Sequence, residues 1–284
     1  MAWYCSGSTN SELVENLYRT GLIKSERVRD AMKGVSNPPL SLLTHQPRNL
    51  VFFSLEITIS ARISHEIKNQ RYPDEVNLIV GSLTDRPYSD SPQPIGHAAT
   101  ISAPHMHGHA CEYLIDFLKP GSHVLDIGSG SGYLTHVLAN LVTDPSAANQ
   151  ANGQVIGIDH IPELVKLACE NMSKSEQGRK YLKSERVKFI ASDGRLGWSQ
   201  GAPYDAIHVG AAAERLHPVL IEQLRTPGRL FIPVDMGSDD GEAGSLGPSG
   251  GQYIWVVDKK ADGSVSKEKI FQVSYVPLTD RPKK

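Results

Sequence analysis

Three acidic residues stand where apolar runs end, and the first of them opens a glycine-rich turn. Val124-Leu125-Asp126-Ile127-Gly128-Ser129-Gly130-Ser131-Gly132 delivers a carboxylate and then glycines at alternate positions. Glycine is needed where backbone must take a positive φ or approach a ligand closely. The helix that follows such a turn offers free N–H groups at its start. Two ligand classes use a turn of this kind. A dinucleotide site has the spacing GxGxxG, with pyrophosphate over the helix N-terminus. Here the spacing is GxGxG, and the acid two residues earlier would repel a pyrophosphate. That acid suits a ligand with an ammonium and a sulfonium, which favours S-adenosylmethionine over a nicotinamide cofactor.

Asp159 ends the run Val155-Ile156-Gly157-Ile158. An acid at that place in a nucleotide-binding α/β fold accepts from both ribose hydroxyls; the competing reading is a helix cap ahead of Pro162. Asp193, in Ser192-Asp193-Gly194, is placed to accept from an adenine amino group. Acids at the carboxyl ends of three successive strands would share one crevice, the place where open α/β sheets bind ligands.

The elements that must position these residues alternate along the chain. Strands are expected at 123–127, 155–158, 187–190, 204–209 and 229–233, with helices at 133–141, 162–172 and 218–224 between them. Two further runs, 253–257 and 270–276, follow without a helix and read as an antiparallel β-hairpin. This order predicts an α/β, doubly wound, Rossmann-like sheet of the kind that binds S-adenosylmethionine. Ahead of it, Ser11 reads as the cap of a helix bearing Leu13, Val14 and Leu17, and 25–32 reads as a second helix. The organisation expected is a helical cover over 1–35, a poorly ordered insertion over 36–84, and the catalytic domain over 85–284. Residues 89–109 are rich in Pro, His, Ser and Gly and read as ordered loop leading into a helix that carries Cys111 and Leu114.

Composition narrows the partners. The formal net charge is −2, which gives no footprint for nucleic acid. Hydrophobic residues make up 39% of the chain, and no run is long enough to span a bilayer. Cys5, Cys111 and Cys169 are widely spaced and match no metal motif, so they are expected to be reduced thiols in a cytoplasmic protein. The first residues lack the basic-then-apolar pattern of a leader.

Two more segments are distinctive: Asp90-Ser91-Pro92-Gln93-Pro94-Ile95-Gly96, and Ala99-Thr100-Ile101-Ser102-Ala103-Pro104-His105-Met106-His107. With Pro203 to Ala213 and Tyr275-Val276-Pro277-Leu278-Thr279-Asp280, they resemble the protein-L-isoaspartate (D-aspartate) O-methyltransferases. The resemblance implies methyl transfer from S-adenosylmethionine to the free α-carboxylate of L-isoaspartyl residues in damaged proteins. The ester then closes to a succinimide that reopens partly to normal aspartate. It implies Ser102 as the hydroxyl that binds the substrate carboxylate. Ala99, Thr100, Ile101, Ser102 and His107 are implied to line the site beside the cofactor. Ser131, Asp159 with His160, and Asp193 with Gly194 match cofactor positions, and Thr279 a residue closing over the site. His105 and His107 lack a third ligand, so no metal is expected. A monomer acting on isoaspartyl proteins and peptides is the expected state. Residues 36–84 have no counterpart in the family pattern, and Arg225-Thr226-Pro227-Gly228 departs from its usual turn. The alternatives are a cofactor-binding relative whose catalysis the insertion impairs, a small-molecule methyltransferase, and an NAD-dependent oxidoreductase.

Overall fold

The structure is a computed structural model that describes residues 5–35, 88–144, 153–235 and 251–278. The expected insertion at 36–84 and Thr279 lie outside the described residues.

Helices α1 (Asn10–Arg19) and α2 (Glu26–Lys33) open the described chain. Both are amphipathic: Leu13, Val14 and Leu17 of α1 are buried, as are Val28, Ala31 and Met32 of α2. The N-cap of α1 is Thr9, whose hydroxyl accepts from the Glu12 N–H, and not Ser11. Ser11 instead falls inside the first turn. The Asn10 side chain reaches across to the Val35 carbonyl at 3.1 Å, holding the end of α2 to the start of α1.

Strands β1 (Gln93–Gly96) and β2 (Ala99–Ile101) then form a small antiparallel hairpin where loop was expected. Its tight turn places His97 and Ala98 at positive φ. Helix α3 (Pro104–Leu114) follows, with Pro104 in its first turn, where a missing N–H costs nothing. The Asp90 carboxylate caps it from a distance, accepting from both the backbone N–H and Nδ1 of His105 at 2.9 Å. Asp90 is in turn held by its own N–H donating to Ser6 Oγ, and Gly7 N–H donates to the Tyr88 carbonyl. The segment from Tyr88 to His107 is thus tied at both ends.

The rest alternates as expected, with α6 as an addition: β3 (His123–Ile127), α4 (Tyr133–Val142), β4 (Gln154–Asp159), α5 (Pro162–Ser173), α6 (Glu176–Lys183), β5 (Val187–Ala191), β6 (Tyr204–Val209), α7 (Pro218–Glu222), β7 (Leu224–Asp235), β8 (Gln252–Lys259) and β9 (Val265–Val273). One seven-stranded sheet has the order β5-β4-β3-β6-β7-β8-β9. Strands β5 to β7 in that order are parallel, and β8 and β9 run antiparallel beside them. Central strands such as β3 are covered on both faces, which is why they read as continuous apolar runs. Edge strand β9 is half exposed, with Lys267, Glu268 and Lys269 in its middle. The chain leaves β3 toward β4 on one side and resumes on the other with β6. That reversal is the topological switch point, and it opens a crevice at the carboxyl ends of the strands.

Candidate active site

The crevice is a cleft enclosing about 580 Å³ of empty space, open solvent at its mouth included. Its floor is the glycine turn. Gly128, Gly130 and Gly132 all have positive φ. Gly128 packs against Gly210, the glycine that follows β6. The turn is pinned to the neighbouring strand: the N–H groups of Gly128 and Ser129 both donate to the Ile158 carbonyl, at 2.8 and 3.0 Å.

Asp159 completes that pinning. It lines the cleft and is buried; its Oδ2 accepts from Gly130 N–H at 3.0 Å and its Oδ1 from Ile161 N–H at 3.0 Å. The two readings of this residue therefore coexist. It stabilises the start of α5 from outside the helix, and it presents carboxylate to the cleft, where each oxygen has a second lone pair. His160 stands beside it, with Nδ1 3.4 Å from Asp159 Oδ1, and also lines the cleft.

Of the other residues singled out from sequence, Ala99, Thr100, Gly128, Gly130 and Gly194 line the cleft. Asp126, Ile101, Ser102, His107, Ser131, Gly132 and Asp193 do not. Asp126 lies beneath the turn, almost fully buried, with Oδ2 accepting from Thr135 Oγ1 at 2.6 Å and Oδ1 from His208 Nδ1 at 2.8 Å. Each oxygen keeps a second lone pair beyond these protein partners. Asp193 stands immediately before Gly194 of the cleft lining. Its carboxylate is gripped in fork geometry by Arg195, through Nε and Nη2, and this ion pair holds its pKa below the usual carboxylate range. Ser131 and Gly132 start α4, the Ser131 carbonyl accepting from Asn171.

Strand β2 carries Ala99 and Thr100 to the cleft and hands the chain to Ser102. The His107 ring donates to the Ser102 backbone carbonyl. Burial, followed by the nearby His208, pushes the His107 pKa down to about 4, so the imidazole is neutral. The Ser102 hydroxyl meets the hydroxyl of Tyr275, whose pKa burial raises to about 12 even though this contact opposes the rise. Tyr275 is held by Gln252, which accepts from its N–H and donates to its carbonyl. Beyond Tyr275, Val276, Pro277 and Leu278 line the cleft and are pinned to Ala212 by paired backbone hydrogen bonds. Tyr275 was not singled out from sequence as a site residue. Its only signal there is its place in the Tyr275 to Asp280 segment.

Comparisons with known proteins fit this geometry. The family profile of the protein-L-isoaspartate(D-aspartate) O-methyltransferases matches residues 74–283. The chain belongs to this family. A protein-L-isoaspartate O-methyltransferase of Triticum aestivum is 49% identical over 195 residues, 69% of this chain and 76% of that one. The Caenorhabditis elegans enzyme of the same name is 37% identical over 284 residues, covering 99% and 97% of the two chains. A solved beta-aspartate methyltransferase from Plasmodium falciparum, in complex with S-adenosyl-L-homocysteine, superposes with a TM-score of 0.68 at 28% identity. The match covers 96% of this chain and 99% of that one. In this isoaspartate methyltransferase, Ser102 follows the strand that carries Ala99 and Thr100 to the cleft, and Tyr275 precedes the cleft-lining Val276.

Proposed function

We propose that this chain methylates the free α-carboxylate of L-isoaspartyl residues in damaged proteins, with S-adenosylmethionine as methyl donor. The observation that carries the reading is the meeting of two segments. The family-specific strand Ala99–Ile101 borders the same cleft as the glycine turn and Asp159.

The residues fit the cofactor. Asp159 offers acceptors to a diol. Ile127, Ile158 and Leu164 offer apolar wall, and Gly194 packs against Ile127 so closely that a side chain there would displace that wall. When bound, S-adenosylmethionine supplies an electrophilic methyl group on a cationic sulfur. The chain's own residues have little proton chemistry to do. A substrate α-carboxylate, which ordinarily titrates near pH ~3.5, is already ionised at neutral pH. The task is alignment, which is catalysis by proximity and orientation. Ser102 donates a hydrogen bond to the carboxylate without removing a proton, and its backbone is fixed by neutral His107. Asp193 holds Arg195 in fork geometry next to Gly194 of the cleft lining.

The deciding assay is transfer of tritiated methyl groups to an isoaspartyl peptide beside the same peptide with normal aspartate. Equal labelling of the two would sink the reading. Ser102→Ala is expected to lower turnover by about ten- to a hundredfold while leaving cofactor affinity within about threefold. Loss of cofactor binding without loss of turnover per bound cofactor would remove Ser102 from its role.

We extend the reading to residues 36–84. The chain on either side is tied to one short stretch, since Asn10 holds the Val35 carbonyl and Gly7 holds that of Tyr88. Closing a loop costs little more when it is longer; a fivefold change in length costs about 1.4 kcal/mol. The domain over 85–284, with its cover over 1–35, is therefore expected to fold without the stretch. Replacing 36–84 by a short linker should leave the melting temperature equal or higher and isoaspartyl methylation restored or raised. Unfolding on deletion would make the stretch an integral part of the domain.

Among the described residues no helix is long and apolar enough to cross a membrane, and all three cysteines are free. We read the protein as a cytoplasmic monomer, which sedimentation and cell fractionation would check.

A further inference from the structure

We propose that His208 is a positioning residue for cofactor binding, acting through Asp126 to hold the glycine turn in its ligand-ready shape. The inference rests on the S-adenosylmethionine reading of the cleft.

The argument begins with strand register. Asp126 and His208 are partners on the adjacent parallel strands β3 and β6, and each stands two residues before a glycine that lines the cleft. The strand ends are close enough that Gly210 N–H donates to the Ile127 carbonyl at 2.8 Å. His208 Nδ1–H donates to Asp126 Oδ1 at 2.8 Å, and Thr135 Oγ1–H to Oδ2 at 2.6 Å. Thr135 lies in the first turn of α4, immediately after the glycine turn. The carboxylate therefore joins three elements: the strand entering the turn, the helix leaving it, and the strand beside it. All three side chains are buried, and His208 also stacks on Phe231, with ring planes 18° apart.

A buried carboxylate is tolerated only when its oxygens are paired. Without the imidazole, Asp126 Oδ1 has no donor. The carboxylate can then take up a proton or turn away from its buried place. Either response moves the base of the turn whose Gly128 and Gly130 face the ligand. His208 does not itself line the cleft. Its removal should thus change cofactor affinity without changing contact with the substrate.

The test uses the full chain and titrates S-adenosyl-L-homocysteine calorimetrically into wild type, His208→Leu, His208→Asn and Thr135→Val. An asparagine amide can place a donor near the position of Nδ1, so His208→Asn is the rescue variant. His208→Leu should raise Kd by roughly tenfold or more, and His208→Asn by less than about threefold. The peptide KM at saturating cofactor should stay within about threefold in both. A merely structural histidine would lower the melting temperature and leave the Kd of the folded variant unchanged; that result overturns the proposal. If His208→Leu does not fold, Thr135→Val decides, because it frees the other oxygen with little change of shape. An unchanged Kd there also overturns the proposal. Failure of the wild-type chain to bind would overturn the cofactor reading as well, whereas binding by wild type and by His208→Leu alike overturns this inference alone.

Discussion

Replacing Asp159 by alanine is expected to weaken cofactor binding by about 2–4 kcal/mol, because two charge-assisted hydrogen bonds to hydroxyls are lost together. The carboxylate is buried, and its geometry is fixed before any ligand arrives by the Gly130 and Ile161 amides. Pre-fixed acceptors cost little to order on binding, so their loss should appear almost wholly in affinity. The substitution also releases Gly130 N–H, which loosens the turn from β4 and adds to the effect. Asp159→Asn is the gentler variant: it keeps one acceptor oxygen and should retain part of the affinity. Calorimetric titration with S-adenosyl-L-homocysteine measures both, and thermal melting checks that they are folded. A dissociation constant unchanged in Asp159→Ala would exclude the residue from the cofactor site.

Stability is expected to fall steeply in mild acid, with two buried histidines as the cause. Burial pushes His107 and His136 down to about 4 each, from an ordinary value of 6.5. A folded-state pKa below the unfolded one means that the unfolded chain binds protons more readily. The stability from keeping these rings neutral is therefore fully present above pH 6.5. It declines as pH falls through the window and is lost below about 4. Each ring contributes up to about 1.4 kcal/mol per pH unit inside the window. Most carboxylates titrate lower, so the upper half of the window belongs mainly to histidine. Urea unfolding at pH 7.5, 6 and 5 should show the decline, and His136→Phe should make it shallower. Equal stability at pH 7.5 and 5 would mean that neither ring is held neutral by the fold.

The parts of this molecule legible in its sequence are those whose cause is local. Strands β3, β4 and β6 announce themselves because burial on both faces demands unbroken apolar runs. The glycines of the turn were legible because only backbone freedom explains three of them at alternate positions. Hairpin β1–β2 was missed because its strands, Gln93–Gly96 and Ala99–Ile101, are too short to show alternation and the first contains Pro94 and Gly96. Helix α6 was missed because only Gly178 and Tyr181 of it are buried, too few to show a period. Its Ser175 cap was the available signal. The protein partners of Asp126 and Asp193 have different origins. Arg195 stands two residues from Asp193, and its competition for that carboxylate was visible along the chain. The partner of Asp126 lies 82 positions away, and only strand pairing brings it near. Tyr275 reaches Ser102 in the same non-local way, through the last strands of the sheet.

The anchoring of Tyr88 to His107 also bears on which damaged sites the enzyme reaches. The segment is fastened before substrate arrives, by Ser6 and Gly7 at one end and by Asp90 under the start of α3 at the other. Little disorder remains on the protein's side to be given up when a peptide docks. The loss of conformational freedom on association therefore falls on the incoming chain. A lesion in a loose tail or frayed loop has that freedom to give. One locked in a helix or strand must first be released by local unfolding, at the free energy that holds it there. Isoaspartyl residues in loose tails are therefore expected to be methylated faster than the same lesion held in a helix or strand.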